Sequence, residues 1–418
     1  MDASHFDVNT AYAAINRIRC DDMHPHIYKT NDRGNTWKEI INGLPDDPIN
    51  VVREDPERKG LLFAGSERAV YVSFDEGEHW QSLRLKMPAT SIRDLVIKDD
   101  DLVIGTHGRS FWILDDITAL RQLNAPLANS PVILFKPQTA YRVRWDMNID
   151  TPLPQEEPAG QNPPEGAIID YYLNDTKQAV TMEIRDEKNK LIRKYSSLDS
   201  ADKIPSDNVP PYWIRPQQIL SSKHGSHRFT WDMHYQPLSD SAYFPMAAIF
   251  MNTGSKFTTP WVIPGVYMVK LTFDGKELTQ SFSVKMDPRV KTSFADLQKQ
   301  HDLSYQCYEG VKQCKEIISD IKANRKELRS KIKNASSIEA ENISSLEKEA
   351  ELLENSLTGG REPGFSRLNN TFANILDILQ RTDLPPTQQA ASDMVETQEQ
   401  LQKLIAKWNT LKAKITGR

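Results

Sequence analysis

Two octets near the start of the chain contain the carboxylate, hydroxyl and aromatic side chains that a catalytic or binding site would use. Residues 30–37 read TNDRGNTW and residues 73–80 read SFDEGEHW, so both fit Ser/Thr-x-Asp-x-Gly-x-x-Trp and begin 43 positions apart. A catalytic role would require the two carboxylates to converge on one pocket. The octets therefore mark a catalytic site, a ligand site or a structural turn.

Every fixed position of the octet also has a structural role. The glycine permits the positive φ of a tight turn, and the aspartate can accept hydrogen bonds from the amides of that turn. The hydroxyl can bond locally, and the tryptophan can bury apolar surface between sheets. Aspartates in successive repeats point outward, far apart, so we favour structure over catalysis. The residues concerned are Thr30, Asp32, Gly34, Trp37, Ser73, Asp75, Gly77 and Trp80.

The composition excludes several classes of function. The 418 residues predict two or three domains, and a net charge of −5 gives no basic field for nucleic acid. No stretch approaches 18 apolar residues, so no transmembrane segment is predicted. The start, MDASHFDVNTAYAA, lacks the basic and apolar regions of a signal peptide.

Metal, cofactor and nucleophile motifs are not found in the sequence. The three cysteines lack zinc spacing, and Cys307 and Cys314 lie seven apart in a helical pattern, as buried apolar residues would. No Gly-x-Ser-x-Gly, His-Glu-x-x-His or P-loop motif occurs. We therefore predict no metal, no cofactor and no catalytic residue.

Residues 1–123 are predicted to form short antiparallel strands, and a period in the low forties is the size of a four-stranded propeller blade. In the third unit, residues 114–117 replace the octet, so about two and a half blades are present. A propeller needs at least four blades. Either the chain is the C-terminal piece of a longer protein or other chains complete the ring, and its start in mid-blade favours the piece.

Two further regions follow. Residues 124–165 are predicted to be a transition that ends in a Pro-rich linker, and 166–290 an immunoglobulin-like β-sandwich of six or seven strands, with a hairpin at Asp274-Gly275. Residues 291–418 show apolar residues at helical spacing and are predicted to form an antiparallel bundle or coiled coil of four helices, one of which stops at Gly359-Gly360. A partner could bind through these helices.

The octet and its spacing resemble the Asp-box, or bacterial neuraminidase repeat, of sialidases, xyloglucan-cleaving glycoside hydrolases and sortilin-type receptors. Residues 66–83 and 100–117 look like the last blades of sortilin-like or "glycosyl hydrolase" repeat proteins, which continue into a sandwich and a helical tail. The resemblance covers 1–290, and the tail only in general character. It implies an Asp-box at the blade edge, away from the central funnel, and an extracellular or periplasmic location.

Two polar loops are the candidate ligand site. The loop containing His107 and Arg109 could bind a carboxylate or a sugar at the axial face of a propeller, and Glu67 and Arg68 occupy the matching loop one blade earlier. The alternative, which we favour, is that Arg109 pairs with an aspartate at 115 or 116 and His107 caps a turn.

Hydrolase and carbohydrate-platform interpretations rest on weaker patterns. Five carboxylates are available, but no spacing selects a pair: Glu54, Asp55, Glu67, Asp115 and Asp116. Five aromatic residues could form a sugar platform, although a sandwich core is the simpler expectation: Trp231, Tyr235, Tyr243, Phe244 and Phe250. We expect a binding or scaffold protein that recognises a protein or peptide, with a glycoside hydrolase acting on a polysaccharide as the alternative.

Overall fold

The computed structural model describes residues 1–124, 130–144, 156–157, 160, 162–174, 178–201, 217–238, 259–333, 336–355 and 363–417. Half of the predicted Pro-rich linker (151–166), the helix stop at Gly359-Gly360 and the aromatic residues Tyr243, Phe244 and Phe250 lie outside these ranges. Within them, no helix combines the length and the apolar character required to cross a membrane.

Three antiparallel sheets follow one another along the N-terminal part of the chain. In each sheet, strands consecutive in sequence are neighbours, which is the strand order of propeller blades. The first sheet contains β1 (Asp2–Ala3), β2 (Ala11–Ala14), β3 (Ile27–Thr30) and β4 (Lys38–Glu39). The second contains β5 (Ile49–Glu54), β6 (Leu62–Ser66), β7 (Val70–Ser73) and β8 (Gln81–Ser82). The third contains β9 (Ile92–Lys98), β10 (Asp101–Thr106) and β11 (Phe111–Leu114).

The sheets are stacked through alternating apolar residues. Side chains of a strand alternate between its two faces. One face of the second sheet therefore packs against the third sheet, and the apolar residues at this contact are buried. These residues are Val51, Phe63, Val70 and Val72 of the second sheet, and Ile92, Leu95, Leu102 and Ile104 of the third. A separate cluster joins the first and second sheets through Tyr12, Ile27, Ile49, Val52 and Leu62.

Two further sheets form the middle of the molecule. One has the order β12 (Val132–Leu134), β14 (Ala167–Leu173), β17 (Gly225–Trp231). The other has the order β13 (Ala140–Arg142), β19 (Lys276–Met286), β18 (Gly265–Phe273), β15 (Val180–Asp186), β16 (Leu191–Ser196). Trp231 joins them, since its buried ring contacts Tyr267 and Phe282 at centroid distances of 5.6 and 6.1 Å. The immunoglobulin-like connectivity stays a prediction.

Two of these strands, β12 and β13, lie inside 124–165, where the sequence analysis predicted no strand. Three residues are too few to show an alternating pattern, and β13 pairs in parallel with the distant β19, so no hairpin signal marks it. A short helix, α1 (Thr118–Gln122), precedes both strands. Trp231 and Tyr235 are buried, as expected for a core.

The predicted C-terminal helical region is confirmed. It consists of α2 (Phe294–Ile332), α3 (Ser337–Asn355), α4 (Phe365–Gln380) and α5 (Gln388–Thr416). Ser293 and Thr387 cap α2 and α5 by accepting hydrogen bonds from Asp296 N and Ala390 N, each at 3.2 Å. Cys307 is fully buried in a hydrophobic core that is continuous between the middle sheets and the helices.

Candidate functional site

The two octets form equivalent turns, one between β3 and β4 and the other between β7 and β8. In the first, Thr30 Oγ1 donates to Asp32 Oδ1 (2.8 Å) and accepts from Gly34 N (2.9 Å). In the second, Ser73 Oγ donates to Asp75 Oδ1 (2.8 Å) and accepts from Gly77 N (2.9 Å). Each turn thus uses its own hydroxyl and carboxylate to satisfy its own backbone.

The electrostatics of the octets give them no role as proton donors. Hydrogen bonds from the Thr36 hydroxyl and amide, together with that from Thr30, lower the pKa of Asp32 to about 2. Burial opposes ionisation of Asp75, but hydrogen bonds from His79 and Ser73 hold its pKa below the usual value. Both groups are therefore acceptors that stay ionised, which suits a turn and not a general acid.

The two octet tryptophans differ, and this corrects the expectation that both are buried. Trp80 is 4% exposed, and its indole N–H donates to the carbonyl of Ile40 on the preceding sheet at 2.8 Å. Trp37 is 40% exposed. The reason is its position, because in the described residues no sheet precedes the first one.

The predicted ligand residues lie at the opposite end of the sheets from the octets. We call this surface the rim and define it by Glu67, Arg68, Thr90, His107 and Arg109. Thr90 joins its two loops, since its N–H donates to the carbonyl of Arg68 (3.3 Å) and its hydroxyl to the carbonyl of His107 (3.4 Å). The structure therefore brings together the residues that the matching loop positions had singled out.

Glu67 anchors the rim through one carboxylate oxygen, Oε1. Its carboxylate accepts hydrogen bonds from Asn50 (3.0 Å), Asn16 (3.1 Å) and Arg93 (3.2 Å). Burial opposes its ionisation, yet these contacts keep the pKa of Glu67 below the usual value. Sequence analysis missed the three partners, although Asn50 and Arg93 are the second residues of β5 and β9 and follow the 43-residue period.

The two rim arginines are both exposed to solvent, but only Arg68 has an acidic neighbour among the described residues. Arg68 is exposed, and its Nε lies 3.7 Å from Oδ1 of Asp47, a buried carboxylate whose other oxygen accepts a hydrogen bond from Ser66. Burial raises the pKa of Asp47. Arg109 is exposed as well, and its guanidinium makes no ion pair with any described residue.

The favoured pairing of Arg109 with Asp115 or Asp116 is wrong. These aspartates follow the far end of β11, whereas Arg109 precedes its start. Their backbone carbonyls instead accept hydrogen bonds from Arg228 of β17, at 2.7 Å for Asp116. The residues are close in sequence, but β11 lies between them and holds Arg109 and the two aspartates at opposite ends of the strand.

An open cleft of about 1580 Å³ lies between the third sheet and the middle sheets. Its walls include Asp101, Asp115, Arg121, Tyr141 and Arg144. Burial, and then the neighbouring charge of Asp101, raise the pKa of Asp115. The cleft thus holds a carboxyl group with an elevated pKa beside a second carboxylate.

The remaining carboxylates that were considered for hydrolysis have structural partners. Asp55 accepts from Arg121 at 2.9 Å and from the amides of the turn after β5. Glu54 accepts from the amides of His5 (3.2 Å) and Gly60 (3.3 Å). Among the described residues, no group of three or more His, Cys, Asp or Glu side chains could hold a metal ion.

Three solved structures are similar to parts of the chain. An ancestral GH74 enzyme is 18% identical over 26% of this chain and 13% of its own, with a TM-score of 0.22. A GH74 enzyme of Niastella koreensis is 15% identical over 33% and 24%, with a TM-score of 0.24. YCF48 bound to D1 peptide is 15% identical over 42% and 49%, with a TM-score of 0.18. No protein-family model and no curated protein matches.

The chain spans less than half of each of these structures, at 13%, 24% and 49% of their lengths. With all three TM-scores below 0.25, the similarities carry no argument for fold or function. The activity, substrates and partners of the whole protein are therefore matters of proposal, which rests on the geometry of the rim and of the cleft.

Proposed function

We propose that the chain is a binding or scaffold protein of the sortilin-like Asp-box propeller type, acting outside the cytoplasm, which recognises a protein or peptide at the rim. The observation that carries this proposal is the pair of exposed arginines, Arg68 and Arg109, on two loops tied together by Thr90. The location outside the cytoplasm and the propeller type rest on the sequence resemblance alone.

The chemistry of the rim suits a ligand that bears carboxylates. A guanidinium presents its donors in a planar fork that matches a carboxylate, and charge-assisted hydrogen bonds of this kind are strong. Arg109 has no competing acid among the described residues, and Glu67 is already occupied by three donors. Acidic side chains or a C-terminal carboxylate of a peptide would therefore be the recognised groups.

Binding of an acidic peptide tests this proposal. A fluorescein-labelled, glutamate-rich heptapeptide is titrated with the 418-residue chain, and its anisotropy is followed. Because a hydrogen bond to a charged group contributes about 1.5–3 kcal/mol, Arg109→Ala should weaken binding roughly tenfold or more. Arg367→Ala, which removes an exposed arginine on α4, is the matched control and should leave binding unchanged. Equal affinity of the parent chain, Arg109→Ala and Arg367→Ala for the peptide would exclude the rim as its binding site.

A second candidate function, glycoside hydrolysis, is favoured by one specific observation in the cleft. A general acid and its partner are two neighbouring carboxyl groups of which one has a raised pKa, and Asp115 beside Asp101 fits this arrangement. It is weaker than the rim proposal, because Asp101 already accepts a hydrogen bond from the amide of Asp116 at 2.9 Å. Release of reducing ends from a β-glucan, abolished in Asp115→Asn and unchanged in Arg109→Ala, would support hydrolysis.

A further inference from the structure

Among the described residues, the third sheet has three strands, whereas each of the first two is completed by a fourth, outer strand. In the first sheet β4 pairs with β3, with Glu39 opposite Tyr28, and in the second β8 pairs with β7, with Ser82 opposite Tyr71. The third sheet ends at β11, and within the described ranges no strand pairs with the outer edge of β11. This edge is the feature from which the inference starts.

The backbone carbonyl of Phe111, on the outer edge of β11, lacks the hydrogen-bond donor that the equivalent carbonyls of the first two sheets have among the described residues. The carbonyl of Ile27 accepts from Ile40 N at 2.9 Å, and the carbonyl of Val70 accepts from Leu83 N at 2.8 Å. Val70 lies opposite Gly65, as Phe111 lies opposite Gly105, so Phe111 is the equivalent residue of the third sheet. No backbone N–H of the described chain donates to the Phe111 carbonyl across this edge.

The side chains of β11 are uncovered in the same way. Phe111 is 77% exposed, Trp112 36% and Ile113 56%, whereas the equivalent residues of β7 are all buried. An exposed edge strand with large apolar side chains is a template for another strand. Since monomeric proteins avoid such edges, the exposure indicates a surface that is covered when the protein functions.

Neither the segment that follows β11 up to residue 124 nor the N-terminal strand β1 pairs with this edge. After β11 it turns beneath the sheet, where Asp116 N donates to Asp101 Oδ1 (2.9 Å) and Ile117 N to the Asp100 carbonyl (2.7 Å). That path leads into α1 and not back along β11 as the octets do. The N-terminal strand β1 is already paired with β2 in the first sheet.

We propose that the outer edge of β11 binds an extended segment of a partner protein by strand addition, antiparallel to β11. The side chains that such a segment needs can be inferred from the outer strands of the first two sheets. These outer strands are formed by Trp37-Lys38-Glu39-Ile40 and Trp80-Gln81-Ser82-Leu83. In both, an aliphatic residue three positions after a tryptophan donates its N–H to the neighbouring strand. The partner segment therefore carries an aromatic residue followed, three positions later, by isoleucine or leucine, with polar residues between.

Strand addition suits these groups physically. The added backbone satisfies the free acceptors of the edge, and alternate side chains of the segment cover the two faces of β11. The aliphatic residue takes the place of Leu83 beside Phe111, and the two polar residues lie opposite Trp112 and Ile113, as Ser82 and Gln81 lie opposite Tyr71 and Val72. The edge adjoins the rim at Arg109, whose carbonyl accepts a hydrogen bond from the Trp112 indole at 3.0 Å. It binds a backbone and apolar side chains and not carboxylates, so it goes beyond the proposed function.

A peptide with the sequence of residues 77–85, GEHWQSLRL, is the probe. It is fluorescein-labelled and titrated with the full chain, and a peptide with aspartate in place of the leucine at position 83 is its control. We expect saturable binding of the first peptide and at least a tenfold weaker interaction of the second. Hydrogen exchange should show new protection at residues 111–114 on addition of the first peptide.

Variants of the protein complete the test. Phe111→Lys with Ile113→Lys should reduce affinity for the peptide at least tenfold, and both positions are exposed, so the fold should be retained. Arg68→Ala, which changes the rim loop of the second sheet, should bind it as the parent does, and this distinguishes the β11 edge from the rim arginines. Protection of residues 111–114 before the peptide is added, protection elsewhere, or equal affinity of the lysine variant would overturn the proposal.

Discussion

Replacing Gly77 with alanine tests whether the octet turn after β7 also holds the first two sheets together. Gly77 has a φ of 90°, and a Cβ placed there would lie 2.4 Å from Cδ1 of Ile40 on the first sheet. Gly34 is its matched control, because it has a φ of 89° but its Cβ would meet only the Trp37 ring, at 3.8 Å. The two variants separate backbone strain from packing.

The expected losses of stability follow from this difference. Both variants place a Cβ in the left-handed region, which costs about 1–2 kcal/mol. Gly77→Ala also overpacks a buried contact, at about 1–3 kcal/mol, and Ile40 is too buried to yield fully. We therefore expect losses of about 1–2 kcal/mol for Gly34→Ala and about 2–5 kcal/mol for Gly77→Ala.

Hydrogen exchange measured peptide by peptide is the suitable assay, because a chain with several cores has no single unfolding midpoint. Amides of β6 and β7 should lose more protection in Gly77→Ala than in Gly34→Ala, while those of α2 should be unchanged in both. Equal loss of protection in β6 and β7 for the two variants would refute the argument that the glycine serves packing between sheets.

Three further predictions concern titration, ion pairing and thiol reactivity. The pKa of Asp32 is about 2 in the fold, below its ordinary value of 3.8. Its contribution to stability is therefore complete above pH 3.8 and is lost as the pH falls toward 2. Asp32→Asn should lessen the acid sensitivity of the first sheet, measured by hydrogen exchange. Arg325→Ala removes the charge-assisted hydrogen bonds to the buried Glu347 and Glu354, which keep only Arg329 (2.8 Å) and Lys322 (3.8 Å) among the described residues, and should cost about 1.5–3 kcal/mol in hydrogen exchange of α2 and α3. The exposed Arg329→Ala should cost less than about 1 kcal/mol. Only Cys20 should react with Ellman's reagent at about pH 8, because burial raises the pKa of the two cysteines of α2 to about 12.

Much of the fold could be predicted because its signals are local. Apolar residues at helical spacing predicted the C-terminal helices, and Cys307 and Cys314 lie on the buried side of α2 as expected. The short strands could not be predicted in this way, since β12 and β13 have three residues each and pair with distant strands. Local periodicity is therefore informative only when an element is long enough to repeat it.

The candidate site was predictable to the extent that it follows the repeat. Glu67 and His107 were singled out because their loops match, and the structure joins those loops through Thr90. The partners were not predictable, because Asn16 reaches Glu67 across 51 positions and Arg228 reaches Asp116 across 112. Such contacts depend on how sheets pack, which no local sequence pattern encodes.

Reversal of charge at the rim tests the central claim most directly. The double variant Arg68→Glu with Arg109→Glu is titrated with a glutamate-rich heptapeptide and with a lysine-rich heptapeptide of the same length. If the exposed arginines recognise carboxylates, the parent chain binds only the acidic peptide and the double variant binds only the basic one. Undiminished binding of the acidic peptide by the double variant would contradict a recognition site at the rim.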